Sequence, residues 1–445
     1  MRIRHKLRAA SLAAALLASA LTVSASPVSA SPAGAETTGA ETAGAETTGA
    51  TAATGVTTQA VFNNPVGTAT EQRAIVDKQI ELIDGAPAGS RIRLSYYYLN
   101  DATFTNALTA AHDRGVNVQA IFDVKATGYA LYDTLAAELG TDTSKPSWVT
   151  HCGTARGCIG TLAKGGVDAI NHNKFILFTE TNGTPRVVMQ SSANLHTGRD
   201  GYLGWNNALV LTGNDGIYNA YNGYFDDLAA KVPNNNYYDT GRTPVASGNA
   251  KIHFYPRAAT NDSVFYNDPS EDTVATVLDH VNCFGNSVVG TTDNHRTRIR
   301  VAMTILSRPY LADKLVELDA QGCYVEVALT YDGTNGLGKT SLEKLLAKTT
   351  NAYNGVITKY YCGKDSTWIH DKYLLIEGNY YDVPDRKIVW TGSHNWSTNS
   401  LRQSDETMLQ FEDPAIHDAY VANYNKLRAA TTHQPANGDA VDATC

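Results

Sequence analysis

Two pairs of histidine and lysine residues share a spacing that suits one chemistry. His370 and Lys372 are two residues apart, and His172 and Lys174 repeat that spacing earlier in the chain. In a β-strand, side chains at positions i and i+2 point to the same side, so each pair is expected to face one site. Lysine supplies positive charge, and histidine can attack as a nucleophile or transfer a proton near neutral pH. Together these residue types suit a phosphoryl group.

Each pair is followed further along the chain by a short polar motif. Ser192 and Asn194 follow the first pair, and Ser393 and Asn395 follow the second. These side chains can form hydrogen bonds with phosphate oxygens. If the two sets meet across a pseudo-two-fold axis, two histidines lie on either side of one phosphorus atom. One can form a phosphohistidine, while the other protonates the leaving alcohol and then activates water.

The segments around these motifs form two matching series of predicted elements. Strands beginning at Arg91 and Arg298 each lead into a helix with apolar residues three and four positions apart. Gly115 and Gly322 are expected to end those helices, and another strand begins directly afterwards. Such βαβ-like units predict strands flanked by helices. We therefore expect an α/β protein with two similar halves, separated by the turn-rich residues 231–250.

The motifs resemble those of the phospholipase D superfamily, whose signature is His-x-Lys, four residues, Asp, and then Gly-Ser-x-Asn. The second motif is close to this pattern, with Glu377 in the acidic position and Gly392 before the serine. The first departs from it, because Thr179 stands in the acidic position and Ser191 replaces the glycine. Through the duplication, the resemblance covers nearly the whole chain after an N-terminal leader. It implies two pseudo-symmetric α/β/α halves with mixed sheets, packed face to face around one active site.

Members of this superfamily also place an acidic residue or an amide after each Ser-x-Asn motif, where it orients a histidine. Aligning WNNALV with SDETML gives these positions to Asn207 and Glu406. A carboxylate bonded to one imidazole nitrogen would fix the tautomer and raise the basicity of the ring. The resemblance makes His172 the nucleophile and His370 the general acid and base. The complete expected catalytic set is His172, Lys174, Ser192, Asn194, Asn207, His370, Lys372, Glu377, Ser393, Asn395 and Glu406.

This chemistry requires neither a cofactor nor a metal ion, because lysines and hydrogen-bond donors can stabilise the phosphate oxygens. The six cysteines lack the paired Cys-x-x-Cys spacing of zinc sites and suit disulfides in an oxidising compartment. Fifteen pairings are possible. We favour Cys152 with Cys158 and Cys283 with Cys323, which leaves Cys362 with Cys445.

The N-terminus predicts a secreted, extracellular protein. Residues 1–30 combine four basic residues, an apolar run and a small-residue cleavage site, which is typical of a signal peptide. An uncleaved anchor is disfavoured, because the apolar run is well short of about 20 residues. Residues 31–60 are expected to form a disordered linker, since their low-complexity repeat cannot bury a core. The two halves are then expected at residues 61–240 and 241–445.

Charge and aromatic residues bear on the substrate. Removal of residues 1–30 takes away four positive charges and lowers the formal net charge from −8 to −12. A polynucleotide groove is disfavoured, because no dense basic cluster lies near either motif. Amphipathic rings near the motifs can instead contact lipid at an interface. These are Tyr96, Tyr97, Tyr98, Tyr202, Trp205, Trp368 and Trp396, although we interpret Tyr97, like Trp390, as a core residue.

Three functions remain open. The favoured one is a secreted phospholipase D that acts on phospholipid at a membrane or micelle surface. It would convert phosphatidylcholine to phosphatidic acid and choline, or transfer the phosphatidyl group to another alcohol. The second is a secreted, metal-independent nuclease of the same superfamily, and the third is an inactive homologue that binds phosphate. No protein partner is implied, and a monomer suffices for one complete centre.

Overall fold

The computed structural model describes residues 55–290, 295–333, 338–349 and 353–445. The predicted signal peptide and most of the predicted linker lie outside these residues. The first strand, β1, runs from Gln59 to Asn63 and so includes the last two residues assigned to the linker. Within the described ranges, no helix has both the length and the apolar character needed to cross a membrane.

The N-terminal half contains one sheet and the helices that pack on it. Its strand order is β1-β7-β6-β5-β2-β3-β4. The elements are β1 (Gln59–Asn63), α1 (Ala69–Asp84), β2 (Arg91–Tyr96), α2 (Ala102–Asp113), β3 (Asn117–Phe122), a 3₁₀ helix (Val124–Gly128), α3 (Ala130–Leu139), β4 (Trp148–His151), β5 (Lys174–Thr181), β6 (Thr184–Ser191), β7 (Gly204–Leu211), α4 (Asp215–Ala230) and α5 (Tyr237–Thr240).

The C-terminal half contains the second sheet, with the strand order β13-β12-β11-β15-β16-β17-β9-β8. Its elements are β8 (Val245–Ser247), β9 (Ala250–Phe254), α6 (Asp262–Tyr266), a 3₁₀ helix (Pro269–Glu271), α7 (Thr273–Asp279), β10 (Val281–Asn282), β11 (Arg298–Met303), α8 (Pro309–Gln321), β12 (Tyr324–Tyr331), α9 (Lys339–Leu346), β13 (Ile357–Cys362), β14 (Trp368–Ile369), β15 (Lys372–Tyr380), β16 (Val383–Gly392), α10 (Thr398–Arg402), β17 (Thr407–Glu412) and α11 (Pro414–Ala430).

The two sheets repeat one topology. Read from β4 to β1, the first sheet has two parallel pairings followed by four antiparallel ones. Read from β13 to β9, the second sheet has the same pairings in the same order. The duplication expected from the sequence is therefore confirmed, as is the mixed α/β fold.

Local sequence signals explain where several helices begin and end. Helix α1 begins with a capping box, in which the side chains of Thr68 and Glu71 each accept the other residue's backbone N–H. Helices α2 and α8 end beside Gly115 and Gly322, which adopt φ values of 89° and 111°. This left-handed backbone suits glycine, because glycine has no Cβ to clash with the preceding turn.

Three apolar clusters hold the layers together. One lies on the outer face of each sheet, and a third lies between the sheets and takes residues from both halves. Helices α4 and α11 contribute Tyr221 and Tyr420 to this central cluster, beside Leu209 of β7 and Leu409 of β17. Burial of apolar surface contributes about 25 cal/mol of stability per Å². Because both halves bury surface in the central cluster, this contribution favours one fixed arrangement of the two sheets.

The cysteines form three disulfides, Cys152–Cys158, Cys283–Cys323 and Cys362–Cys445. The pairing favoured from the sequence is thus confirmed. Disulfides are consistent with an extracellular protein, because they persist in oxidising compartments.

Candidate active site

The backbone of each half holds the histidine of the other half. Strand β14 pairs in parallel with the start of β7, and the N–H of His370 donates to the carbonyl of Trp205 at 2.9 Å. In the opposite direction, the N–H of His172 donates to the carbonyl of Asp405 at 3.0 Å. These two hydrogen bonds bring the His-x-Lys segments together at the interface between the sheets.

The imidazole of His172 is bonded to a carboxylate. Its Nδ1 lies 2.8 Å from Oε1 of Glu406, whose side chain is fully buried. Burial lowers the pKa of His172 to about 4, against the opposing effect of Glu406. Burial would raise the pKa of Glu406, but His172 and Lys174 hold it below its usual value. Because Glu406 is ionised, it accepts the Nδ1 proton of His172 and leaves Nε2 with a free lone pair.

The imidazole of His370 is bonded to an amide instead. Its Nδ1 lies 2.9 Å from Oδ1 of Asn206. The Nδ2 group of Asn206 donates to the carbonyl of Gly201 at 2.8 Å, which directs Oδ1 towards the ring. The hydroxyl of Ser192 donates to the same Oδ1 at 2.9 Å. Burial, followed by Lys372, Lys174 and His172, lowers the pKa of His370 well below its ordinary value.

The expectation that Asn207 orients a histidine is wrong by one residue. Ser191 pairs with Ala208, and Gly392 pairs with Met408, so the equivalent of Glu406 is Asn206. A slip of one residue turns a strand side chain to the opposite face.

On that opposite face, Asn207 joins the two halves. Its Nδ2 group donates to Asp371 at 2.7 Å, and its Oδ1 accepts from Thr391 at 2.5 Å and from Tyr420 at 3.1 Å. The equivalent residue Thr407 donates across the interface to Gln190 at 2.8 Å. Asn207 therefore stabilises the interface and does not contact either imidazole.

The two motif lysines lie buried at the centre of the site. Lys174 Nζ donates to the carbonyl of His172, and Lys372 Nζ to that of His370, each at 2.8 Å. Lys372 also donates to the hydroxyl of Thr304 at 2.9 Å. Burial lowers the pKa of Lys174 to about 7, and burial with the charge of Lys174 holds the pKa of Lys372 well below its ordinary value. An anion between the two ammonium groups would raise both pKa values, because a nearby opposite charge favours the charged form of lysine.

The motif serines have mainly structural contacts. The hydroxyls of Ser192 and Ser393 accept the backbone N–H groups of Asn207 and Thr407, each at 3.0 Å. They therefore fix the turns that follow β6 and β16.

The motif asparagines are placed to contact a ligand. Nδ2 of Asn194 donates to Asp200 at 3.0 Å. The buried Oδ1 atoms of Asn194 and Asn395 have no hydrogen-bond partner among the described residues. Since a buried acceptor without a partner is costly, these oxygens are suited to a ligand group that donates a hydrogen bond, such as a hydroxyl or water.

The acidic position of the motif lies away from the histidines. Glu377 is five residues beyond Lys372 on β15, or about 16 Å along a strand, and its carboxylate lies 3.4 Å from Arg300. In the first half, the Thr179 hydroxyl accepts the backbone N–H of Arg91 at 2.8 Å. The assignment of Glu377 to the catalytic set is therefore contradicted, because strand geometry takes it out of reach of the phosphate.

Two contacts at the site were not expected from the sequence. The ring of Tyr97, which we interpreted as a core residue, lies 5.4 Å from the ring of His172 and 5.9 Å from Lys174 Nζ. Tyr96 pairs with Lys174, and Met303 pairs with Lys372. The next residues along the chain, Tyr97 and Thr304, are therefore equivalent, and Thr304 lies beside Lys372 as Tyr97 lies beside Lys174. The sequence contained a signal for both residues, because each directly follows the predicted strand that begins at Arg91 or Arg298 and pairs with a His-x-Lys strand.

The other aromatic residues divide between the core and the edges of the site. Tyr98 and Trp368 are half-buried, and Trp368 packs 3.9 Å from the Arg199 guanidinium. The remaining expected interfacial residues are buried, as is Trp390, whose interpretation as a core residue is confirmed. The buried residues are Tyr96, Tyr202, Trp205, Trp390 and Trp396.

A cavity of about 650 Å³ leads to His172. His172 and Tyr97 line it from the N-terminal half, and Asn395 lines it from the C-terminal half. A smaller cavity of about 150 Å³ adjoins it beside Trp368 and Thr304. The larger volume is typical of a small-molecule site.

The fold and the site define a class of protein, the phospholipase D superfamily, whose members act on phosphodiesters. The family model described as "Cardiolipin synthase, PLD-like domain" matches residues 80–229 and again residues 291–428, together more than half of the chain. The protein belongs to this family. No curated protein sequence matches it.

Solved structures share the fold at low sequence identity. Phosphatidylserine synthase from Haemophilus influenzae Rd KW20 aligns with a TM-score of 0.53 and 12% identity, over 86% of this chain and 89% of that one. Polyphosphate kinase from Porphyromonas gingivalis aligns with a TM-score of 0.51 and 14% identity, over 87% of this chain. This chain spans about half, 54%, of the polyphosphate kinase. At these identities the likeness shows the fold alone.

Proposed function

We propose that the protein is a secreted phospholipase D that hydrolyses the headgroup ester of a phospholipid such as phosphatidylcholine. The observation that carries this proposal is the unequal pair of histidines around two buried lysines. One imidazole has a carboxylate partner, and the other has an amide partner. Such a pair supplies one nucleophile and one group that exchanges protons, which a two-step displacement at phosphorus requires.

In the first step, Nε2 of His172 attacks phosphorus and the bond from phosphorus to the headgroup oxygen breaks. A proton on His370 Nε2 passes to that oxygen, so the headgroup leaves as an alcohol. Lys174, Lys372 and the Nδ2 group of Asn395 donate to the phosphate oxygens while charge develops on them. The anionic diester offsets the two lysines and thereby favours the protonated form of His370.

In the second step, His370 accepts a proton from water as the water oxygen attacks phosphorus. The bond between phosphorus and His172 breaks, and phosphatidic acid is released. An alcohol can replace water in this step, which would give transfer of the phosphatidyl group instead of hydrolysis. Both proton transfers in this cycle use His370, while His172 forms and breaks the bond to phosphorus; no cofactor or metal enters the cycle.

The lining of the larger cavity favours a lipid substrate over a polynucleotide. Lys164 is the one basic residue on its described walls besides the histidine, and it is paired with Asp262 at 2.5 Å. The walls near the opening carry the exposed apolar side chains of Val167 and Tyr266, with Phe265 beside them. A groove for a polynucleotide backbone would need several unpaired cations.

A substrate panel with the purified secreted form tests this proposal. We expect choline release from phosphatidylcholine vesicles, unaffected by a chelator, and phosphatidylethanol when ethanol is present. The Lys372→Ala variant is the inactive control. Cleavage of plasmid DNA with a steep salt dependence, and no choline release, would favour the nuclease instead. Binding of inorganic phosphate without turnover of any substrate would indicate an inactive homologue.

A further inference from the structure

A separate cavity, here called the outer cavity, lies on the outer face of the C-terminal sheet. It has a volume of about 350 Å³ and shares no lining residue with the cavity that contains His172. Strands β9, β16 and β17 form its floor, and helix α7 lies along one wall. Its central polar residues are Lys251, His253 and Gln410, with Arg257, Arg386, Tyr380 and Tyr381 around them.

The floor presents polar groups that no protein side chain satisfies. Within the described ranges, the side chains of Lys251 and Gln410 have no hydrogen-bond or ion-pair partner. His253 is 4% exposed, and its Nδ1 lies 3.0 Å from the hydroxyl of Tyr238. Its Nε2 has no hydrogen-bond partner among the described residues, and the ring lines the outer cavity. An imidazole nitrogen that is open to a cavity beside a lysine and an amide can bind a polar ligand there.

Among the three lysine and arginine residues that line the outer cavity, two are paired with a carboxylate and Lys251 is not paired within the described ranges. Arg386 is paired with Glu412 at 2.8 Å, and Arg257 lies 3.3 Å from Asp239. These carboxylates offset the two guanidinium groups. Lys251 therefore supplies the remaining positive charge, which favours an anion.

Comparison with the N-terminal half shows that the fold does not require this cavity. The registers of β1 with β7 and of β9 with β17 make Val61 equivalent to His253, and Val210 equivalent to Gln410. In the N-terminal half, these valines pack in the outer apolar cluster under α1, which has 16 residues. In the C-terminal half, α7 has only 7 residues. Polar groups and open space therefore replace an apolar contact at the same position of the fold.

We propose that the outer cavity binds the phosphate group of an organic phosphate, separately from the catalytic centre. Lys251 binds the phosphate as an ion pair, and Gln410 and His253 Nε2–H donate hydrogen bonds to it. The ring of Tyr381, which is 52% exposed and stacked on His280 at 3.7 Å, contacts the organic part. This inference does not depend on the proposed phospholipase D activity.

Titration calorimetry with glycerol 3-phosphate tests the proposal on the full secreted chain. Because the catalytic centre also binds phosphate, the number of sites is the readout. We expect two sites in the wild type and one in Lys251→Glu. Gln410→Leu is expected to weaken the second site by about tenfold or more, since a hydrogen bond to a charged group contributes about 1.5–3 kcal/mol. Lys145→Glu, the same charge reversal at an exposed lysine of the N-terminal half, should keep two sites.

Circular dichroism and thermal unfolding establish that each variant is folded. An equal number of sites in the wild type and in Lys251→Glu would overturn the proposal, as would a single site in the wild type that Lys174→Ala removes. The same variants, tested for flotation with vesicles containing phosphatidic acid, identify the source of the phosphate. Lys251-dependent flotation would indicate a lipid ligand, and Lys251-dependent binding of glycerol 3-phosphate alone would indicate a soluble one. Either result supports the site.

Discussion

The two histidine centres are related by the pseudo-symmetry of the fold, yet they differ in one chemical group. His172 is bonded to the carboxylate of Glu406, and His370 is bonded to the amide of Asn206. The distances from Nδ1 to the partner oxygen are 2.8 Å and 2.9 Å, and both partner side chains are fully buried. The centres therefore share a geometry and differ in charge.

In the proposed mechanism, this difference assigns the two roles. A phosphorylated imidazole that remains protonated at Nδ1 carries positive charge, which a buried carboxylate beside Nδ1 stabilises. Glu406 thus favours the covalent intermediate on His172. An amide orients His370 without fixing its charge, so this ring can lose and regain a proton in one cycle. Under the proposed mechanism, the duplicated frame supplies the geometry, and the exchange of an amide for a carboxylate separates the nucleophile from the acid and base.

The largest expected effect comes from removing each imidazole in turn. His172→Ala should lose activity entirely, because no nucleophile remains. His370→Ala should lose at least about 10²–10⁴-fold with a lipid substrate, the usual contribution of general acid–base catalysis. With a p-nitrophenyl phosphodiester, whose leaving group needs no proton, His370→Ala should accumulate a phosphoryl adduct that mass spectrometry assigns to His172.

An adduct on His370 in the His172→Ala variant would reverse the two roles. Absence of an adduct in both variants, with substantial turnover retained, would contradict covalent catalysis by this pair.

The next effect tests the carboxylate against the amide. Glu406→Gln gives both histidines an amide partner, and we expect kcat to fall by about 10²-fold, at the upper end of what orienting residues contribute. Asn206→Ala should lower kcat by about tenfold, because it removes orientation but no charge. Equal losses in the two variants would mean that the carboxylate has no special role.

Asn207→Ala is the matched control for the neighbouring position. It leaves Asp371 and Thr391 without a buried partner, at about 1–3 kcal/mol for each group. We therefore expect a lower free energy of unfolding, measured by denaturant titration, and an unchanged pH profile of kcat/KM. A shifted pH profile would indicate that Asn207, and not Asn206, acts on a histidine.

The pH dependence of kcat/KM should report the protonation of His172 and of Lys174 in the free enzyme. His172 must be unprotonated to attack, so the rate should rise as pH increases through its pKa of about 4. Lys174 must be charged to bind the phosphate, so the rate should fall as pH increases through its pKa of about 7. Along each limb of the profile, kcat/KM should change by about tenfold per pH unit.

Two variants test the acidic and the alkaline limb of the kcat/KM profile separately. Glu406 raises the pKa of His172, so Glu406→Gln should move the acidic limb to lower pH. Lys174→Arg should move the alkaline limb to higher pH, because arginine stays protonated throughout this range. An alkaline limb that does not move would remove Lys174 from phosphate binding.

The sequence was sufficient for the duplicated fold and the two His-x-Lys pairs, because each shows a clear repeated pattern. The favoured cysteine pairing was one of fifteen possibilities, and the structure confirms it. Asn206 was missed because its neighbour is also an asparagine, so composition could not decide between the two. The register of β6 with β7 decides it, and that register is a property of paired strands. Tyr97 was misassigned for a similar reason: it follows a strand, where the alternation of buried and exposed positions no longer applies.

The acidic motif position shows a different limit. A family signature does not state whether a residue contacts substrate or stabilises the fold, so the sequence alone did not show what the departure at Thr179 means. In the structure, Thr179 accepts the backbone N–H of Arg91, while the equivalent Glu377 lies beside Arg300. The two residues stabilise their own halves by different contacts. The threonine is thus an alternative solution at a structural position.

The smallest expected effect follows from that distinction. Thr179→Asp restores the superfamily pattern but leaves the histidines untouched, so kcat should stay within about twofold of wild type, as for other changes distant from a site. Glu377→Gln should likewise preserve kcat while lowering the melting temperature, because Arg300 loses a charged neighbour. A rise in kcat of tenfold or more in Thr179→Asp would show that this position reaches the chemistry. In that case, the threonine at position 179 would limit the activity of the natural enzyme.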